Sequence, residues 1–302
     1  MSANVIDVAD PADPRLDDFR DLNSVDRRPD LPTGKGLVIA EGVLVVQRML
    51  ASRFRARAML GTDRRLGELE ADLAGVEAPY YRVDADVMAE VVGFHLNRGV
   101  LASASRPPER TVAQVLEGAR TVAVLEGVND HENLGSIFRN AAGLGVDAVV
   151  FGTGCADPLY RRAVRVSMGH ALLVPYAWTE AWPKDLELLR EDGFRLLAMT
   201  PDSAARALAD AMTEVADEKV AILVGAEGPG LTEWAMRASD MRLRLLHVGR
   251  RSRRLAVAVR MQRKPGDLGL SICGAERAGK QQCCAQCGRE DLFLHLTPPS
   301  VD

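Results

Sequence analysis

The sequence predicts an α/β protein in two parts, a small N-terminal α/β domain followed by a larger one on a mostly parallel sheet. Two observations predict this. Short apolar runs alternate with segments of helical apolar spacing, the pattern of strands joined by crossover helices. A polar, proline-bearing tract around Arg106–Arg110 then divides that alternation, and 302 residues suffice for two domains. A hydrophobic content of 47% and a charged content of 26% are ordinary for a globular chain.

The elements follow in order. Residues 1–36 are rich in Asp, Arg and Pro and read as an arm with a short helix around Asp17–Leu22. LVIAEG is a short strand ending at Glu41-Gly42. VLVVQRMLAS places Val43, Val46, Met49 and Leu50 at helical spacing. A strand at Ala58–Leu60, a charged helix at Arg64–Leu73, a strand at Tyr80–Val83 and a helix at Ala85–Val92 complete the first part. Phe94–Pro108 reads as the boundary, with Arg-Pro-Pro-Glu-Arg as a stiff, extended linker. The second part has strands at Val122–Leu125, Val146–Phe151, Phe194–Met199, Val220–Val224 and Met241–Leu246. Its helices fall at Leu134–Leu144, Asp157–Ser167, Pro183–Glu191 and Thr232–Ala238. Gly145 and Gly193 stand just past helices, as left-handed caps do. The expected boundaries are 1–108, 109–268 and an irregular, Cys-rich tail, 269–302.

No apolar run approaches the ~20 residues of a membrane span. The start, MSANVIDVADPADPR, lacks the basic-then-apolar pattern of a signal peptide, so a cytoplasmic protein is expected. The net charge of −4 does not announce a nucleic-acid binder. Local clusters at Arg53/Arg55/Arg57, Arg106/Arg110, Arg161/Arg162/Arg165 and Arg250/Arg251/Arg253/Arg254 leave two readings open, RNA contact or solvated faces.

Two segments carry chemistry. In NDHENLGSIFRNAAGLG, Asn129–Gly145, a strand passes through a polar loop into a helix, the kind of junction where open α/β sheets place their sites. Asn133 sits just ahead of the helix, where its side chain can cap free N–H groups. Arg139 lies off the apolar stripe Leu134/Ile137/Phe138/Ala141. An arginine near a helix start gains nothing from the helix dipole. It either binds a phosphate or a developing alkoxide or pairs with a surface carboxylate. In ILVGAEGPGL, Ile222–Leu231, a strand enters a glycine-rich turn containing Glu227. A carboxylate there would repel a phosphate and suits a neutral or cationic ligand. A plain tight turn is the alternative. No G-x-G-x-x-G or G-x-x-x-x-G-K-[ST] is present, which disfavours dinucleotide and triphosphate sites.

The run N-x-x-x-N-x-G-x-x-x-R-x-A-x-x-x-G from Asn129 to Gly145 resembles the first signature of the SpoU/TrmH family of RNA 2′-O-ribose methyltransferases. LVGAEGPGL, Leu223–Leu231, resembles the second, in order and at the family's spacing. DPLYRRAVRVSMGHALLVP between them is similar to the family's helix and small-residue turn, with Ser167 and Gly169 in place. IAEGVLVVQRML resembles the small ribosomal-protein-like, RNA-binding domain of many members.

The resemblance implies methyl transfer from S-adenosylmethionine to a ribose 2′-hydroxyl of rRNA or tRNA. It also implies a homodimer formed through the methyltransferase domain, and a trefoil knot there, an exception to unknotted topology. It assigns catalytic roles to Asn133, Arg139 and Glu227, and cofactor contacts to Thr200, Gly225, Gly230, Leu245 and Ser252, with no metal. The third signature, roughly I-P-M, a glycine, then S-L-N-V, has no counterpart in LLHVGRRSRRLAVAV. Leu245 falls on its Ile, Ser252 falls short of its Ser, and the Asn is missing. A shift of reading frame from about Leu246 onward would produce such a change of texture. A catalytically impaired RNA-binding protein of the same fold is the alternative reading. The tail holds zinc-type ligands in Cys273, Cys283, Cys284, Cys287 and His295, but their spacing matches no closed-site template.

Overall fold

The computed structural model describes residues 4–22 and 35–245, and the backbone of two further strands at 257–264 and 267–274. The first part comprises β1 (Val5–Asp7), a 3-10 helix (Pro14–Phe19), β2 (Val38–Glu41), α1 (Val43–Leu50), β3 (Ala56–Gly61), α2 (Asp63–Leu69), β4 (Tyr80–Arg82), α3 (Ala85–Val92) and β5 (Val100–Ala104). Its five strands lie in the order β1-β4-β3-β5-β2. The arm therefore contributes an edge strand, and its short helix begins at Pro14, behind an Asp13 side chain that accepts from Arg15 N. The stretch expected as a boundary, Phe94–Pro108, contains β5, a fully buried strand antiparallel to both β2 and β3. Residues 94–99 before it and the proline tract after it lack helix and strand.

The second part runs α4 (Val112–Leu116), β6 (Thr121–Glu126), α5 (His131–Leu144), β7 (Ala148–Phe151), α6 (Arg161–Val166), a 3-10 turn (His170–Leu172), β8 (Tyr176–Trp178), α7 (Leu186–Glu191), β9 (Phe194–Met199), β10 (Arg206–Ala207), α8 (Leu208–Met212), β11 (Lys219–Gly225), α9 (Glu233–Arg237) and β12 (Met241–Arg244). The seven strands, ordered β10-β12-β9-β11-β6-β7-β8, pair in parallel throughout. Strands β13 (Val257–Lys264) and β14 (Asp267–Gly274) form a separate antiparallel pair. Ser252, Cys283, Cys284, Cys287 and His295 lie outside the described residues. Among the described residues, no helix is long and apolar enough to cross a membrane.

One apolar core joins the two sheets. Val38, Val46 and Met49 from the first part share it with Leu125, Phe138, Phe151 and Tyr176 from the second. Phe151 packs edge-on to Tyr176 and stacks on Trp178, geometries that favour aromatic pairs. Burial of these side chains, at about 25 cal/mol per Å² of apolar surface, is the main term holding the parts together.

A buried carboxylate lies at the same junction. Glu41, at the end of β2, is 4% exposed and pairs with Arg161 at 3.0 Å, Arg165 at 3.7 Å and Arg98 at 3.8 Å. Two of these arginines come from α6 of the second part. Most of the described members of the arginine clusters are thus structural: Arg57 pairs with Asp18, Arg106 with Asp157 and Arg162 with Glu132. Glu41→Ala leaves that desolvated positive charge uncompensated and is expected to cost about 3 kcal/mol. Chemical denaturation at equilibrium measures it.

Candidate active site at the carboxyl edge of the parallel sheet

The site begins where β6 ends. The chain leaves the sheet at Glu126 and enters α5 through Val128, Asn129 and Asp130. Helix α5 starts three residues earlier than the sequence suggests. Asp130 is its N-cap, and its carboxylate accepts from the N–H groups of Glu132 and Asn133, both at 2.8 Å. A carboxylate is the stronger cap, since it also meets the positive end of the helix dipole. Asn133 is thereby released from capping and sits in the first turn with its side chain free to point outward. Gly135 explains the glycine of the first signature: a Cβ there would stand 2.8 Å from Ala163 O and from Val166 Cβ, so α5 could not approach α6.

Opposite α5, β11 ends at Gly225 and turns through Ala226–Gly230. The turn folds back on itself, with Gly230 N donating to Ala226 O at 3.0 Å. Gly225 is required by this turn rather than by a ligand, because a Cβ would lie 2.1 Å from Gly230 C and Leu231 N. Gly225→Ala must displace the loop and is expected to cost about 3 kcal/mol, read as a lowered thermal midpoint. Gly230 has open space where a side chain would be. The turn presents Glu227 to α5, and the Asn133 amide donates to Glu227 Oε2 at 3.1 Å. The two signatures therefore meet through a side-chain hydrogen bond.

Arg139 lies six residues further along α5, about 9 Å along the axis. It is exposed and, among the described residues, has no hydrogen bond or ion pair, so the surface-carboxylate alternative is not met. Its electrostatic neighbours are the basic side chains Arg48 and His170. Burial, then the charge of Arg139, pulls the Arg48 guanidinium below its usual range. Burial, then Arg48 and Arg139, does the same to the His170 imidazole.

The expected cofactor contacts fall on one edge. Thr200 follows β9, its N–H donating to Leu243 O at 2.9 Å. Gly225 ends β11, and Leu245 follows β12, exposed to solvent. These strands are neighbours running parallel, so Thr200, Gly225 and Leu245 gather at a single carboxyl edge. Glu227 adds a negative charge beside it, and Gly230 adds an uncluttered backbone. This set suits a cationic, partly apolar ligand.

One important residue is missing from the sequence reading. Glu126, 3% exposed, accepts from Thr232 N at 2.7 Å, from Thr232 Oγ1 at 2.8 Å and from the Trp182 indole. It ties the end of β6 to the start of α9, directly beneath the Glu227 turn. Its only sequence signal is a lone carboxylate closing an apolar strand. Trp182 in turn lies against Gly152, where a Cβ would come within 2.6 Å of the indole.

Comparison with known proteins bears on the family and the fold. Residues 120–261 match the SpoU rRNA Methylase family. The chain is 76% identical over 242 residues to an uncharacterized tRNA/rRNA methyltransferase of Mycobacterium tuberculosis, covering 80% of this chain and 84% of that one. The fold is similar to that of an AdoMet-bound rRNA methyltransferase from Sinorhizobium meliloti, with a TM-score of 0.66 and 20% identity over 82% of this chain and 92% of that one. It is also similar to an RNA 2′-O ribose methyltransferase, with a TM-score of 0.60 and 21% identity over 81% of this chain and 91% of that one. Both signatures, the parallel sheet and the 76% identity lead to one conclusion: the chain belongs to the SpoU rRNA methylase family.

Proposed function

We propose that the protein transfers a methyl group from S-adenosylmethionine to a ribose 2′-hydroxyl of rRNA or tRNA. The observation that carries this reading is the contact between Asn133 and Glu227 at the carboxyl edge, with Arg139 on the same helix and without an ion pair among the described residues. Thr200, Gly225, Gly230 and Leu245 hold the cofactor in this reading, together with Ser252. The cofactor supplies an electrophilic methyl on a sulfonium cation, a charge that the Glu227 carboxylate favours.

The chain's own residues act on the substrate. A 2′-hydroxyl is a weak nucleophile and loses its proton as it attacks. Arg139 stabilises the oxyanion that develops, by a charge-assisted hydrogen bond in fixed geometry. Asn133, held by Glu227, orients the ribose. The two parts divide the labour, residues 1–108 gripping RNA and 109–268 performing chemistry. The protein works in the cytoplasm as a homodimer joined through the second part, which carries the family's trefoil knot.

A second reading is an RNA-binding protein without turnover, favoured by the segment after Leu245 that departs from the third signature. Isothermal titration with S-adenosylmethionine separates the two. Stoichiometric binding is expected for the enzyme, and absence of binding would leave the second reading standing.

A further inference from the structure

Three basic side chains from three elements converge beside α5: Arg139 on α5, Arg48 on α1 and His170 at the start of the 3-10 turn. Arg48 comes from the first part of the chain and reaches into the second. Its stem lies over Gly169, where a Cβ would stand 3.2 Å from Arg48 Cβ, and its Nη1 donates to the Met168 carbonyl. Met168 has φ 54°, in the left-handed region that non-glycine residues avoid, and Gly169 has φ 84°. This strained turn aims the Met168 carbonyl at Arg48 and places His170 next to it. Strain of this kind persists where the surroundings over-determine it, and it gathers at functional sites.

The cluster has no counter-charge among the described residues. No carboxylate pairs with Arg48 or Arg139, in a protein whose other arginines mostly find one. Burial and the neighbouring positive charge disfavour the charged forms of Arg48 and His170, so an anion bound beside them would relieve the repulsion.

We propose that Arg48, Arg139 and His170 form a phosphate site for the RNA backbone, built jointly by the two parts of the chain. The site extends the function proposed above, since RNA is the anion it takes. Arg139 serves it from the catalytic side, where one guanidinium can reach both a phosphate oxygen and the neighbouring 2′-oxygen. Arg48 is a positioning residue: it fixes the phosphate, and through it the ribose. The first part thereby sets the register of the nucleotide, because phosphate contacts position a nucleic acid without reading its sequence.

The test follows the His170 imidazole proton by NMR against pH, assigned through His170→Gln. The samples are the full chain alone, with a short mixed-sequence RNA oligonucleotide, and with S-adenosylmethionine. An anion beside the ring favours the imidazolium, so RNA is expected to raise the titration midpoint in the wild type. In Arg48→Met, which keeps an unbranched stem over Gly169, the rise is expected to be lost. RNA affinity should fall about ten-fold and the salt slope by about one, with Arg48→Lys restoring part of both. RNA that fails to bind, or binds without moving the midpoint, overturns the site. A rise produced by S-adenosylmethionine instead assigns the cluster to the cofactor's carboxylate and overturns it too. Binding is read here without turnover, so an inactive enzyme would leave the result intact.

Discussion

Arg139→Ala is expected to lower the rate of methyl transfer on the order of a hundred- to a thousand-fold while leaving the fold unchanged. The argument has two halves. Arg139 is exposed on α5 and makes no ion pair among the described residues, so its removal breaks no stabilising contact. Its positive charge acts unfavourably on the Arg48 guanidinium and on the protonated form of His170, so removal relieves repulsion and the thermal midpoint should hold or rise slightly. The rate, by contrast, loses the group that stabilises the 2′-oxyanion. Single-turnover methylation and thermal unfolding of the same preparation separate the halves. A variant that melts early, or one that still turns over, removes Arg139 from the role.

Glu126→Ala is expected to be among the most damaging single changes to stability, at about 3 kcal/mol. The carboxylate is buried and accepts from the Thr232 N–H, the Thr232 hydroxyl and the Trp182 indole. Truncation removes the acceptor for all three donors at a half-buried junction, and each donor left unsatisfied costs about 1–3 kcal/mol. Thr232 is also the N-cap of α9, its hydroxyl accepting from Ala235 N at 3.3 Å. Loss of Glu126 therefore loosens the segment that supports the Glu227 turn. Equilibrium unfolding measures the cost. Hydrogen exchange should show the loss of protection concentrated at the N-terminus of α9. A loss of less than about 1 kcal/mol would show that water replaces the carboxylate.

Strands β6, β7, β9 and β11 of the parallel sheet are legible from sequence because each is an apolar run bounded by helix-period segments, and β12 shows as an alternation of Arg with apolar residues. Helix α3 is legible to the residue, its end marked by Gly93 at φ 84°. Strand β5 is not. VLASA is built of small residues and reads as a linker, yet small size is what its place requires. Ser103 lies fully buried in the strand and donates to Asp18 Oδ2 at 3.0 Å, drawing the N-terminal 3-10 helix onto the sheet. Strand β1 escapes notice because it has three residues in an acidic arm, held by its register with β4 and by the Asp7–Arg82 pair. Strand β8 is likewise a three-residue edge strand with no periodicity to detect.

The site divides the same way. Asn133, Arg139 and Glu227 stand out as polar residues in apolar, small-residue contexts. Their juxtaposition does not, since Asn133 and Glu227 are 94 residues apart and meet only through the order of β6 and β11. The capping role suggested for Asn133 belongs to Asp130, because two polar residues three positions apart compete for one helix start and the carboxylate wins. Glu126 is invisible in sequence for a similar reason: its partners Trp182 and Thr232 lie 56 and 106 residues away. Arg48 reads as an ordinary helical arginine until the fold brings α1 against the Met168–Gly169 turn.

The most direct test of the central claim is the chemical identity of the methylated product. The full chain is incubated with methyl-labelled S-adenosylmethionine and unmodified rRNA and tRNA transcripts, and the RNA is then hydrolysed in alkali. Methylation of a ribose 2′-oxygen blocks cleavage at that position, so the predicted result is label in an alkali-resistant dinucleotide that yields a 2′-O-methylnucleoside on enzymatic digestion. Label in single nucleotides carrying a base methyl group, or no label from RNA that the protein binds, would contradict it.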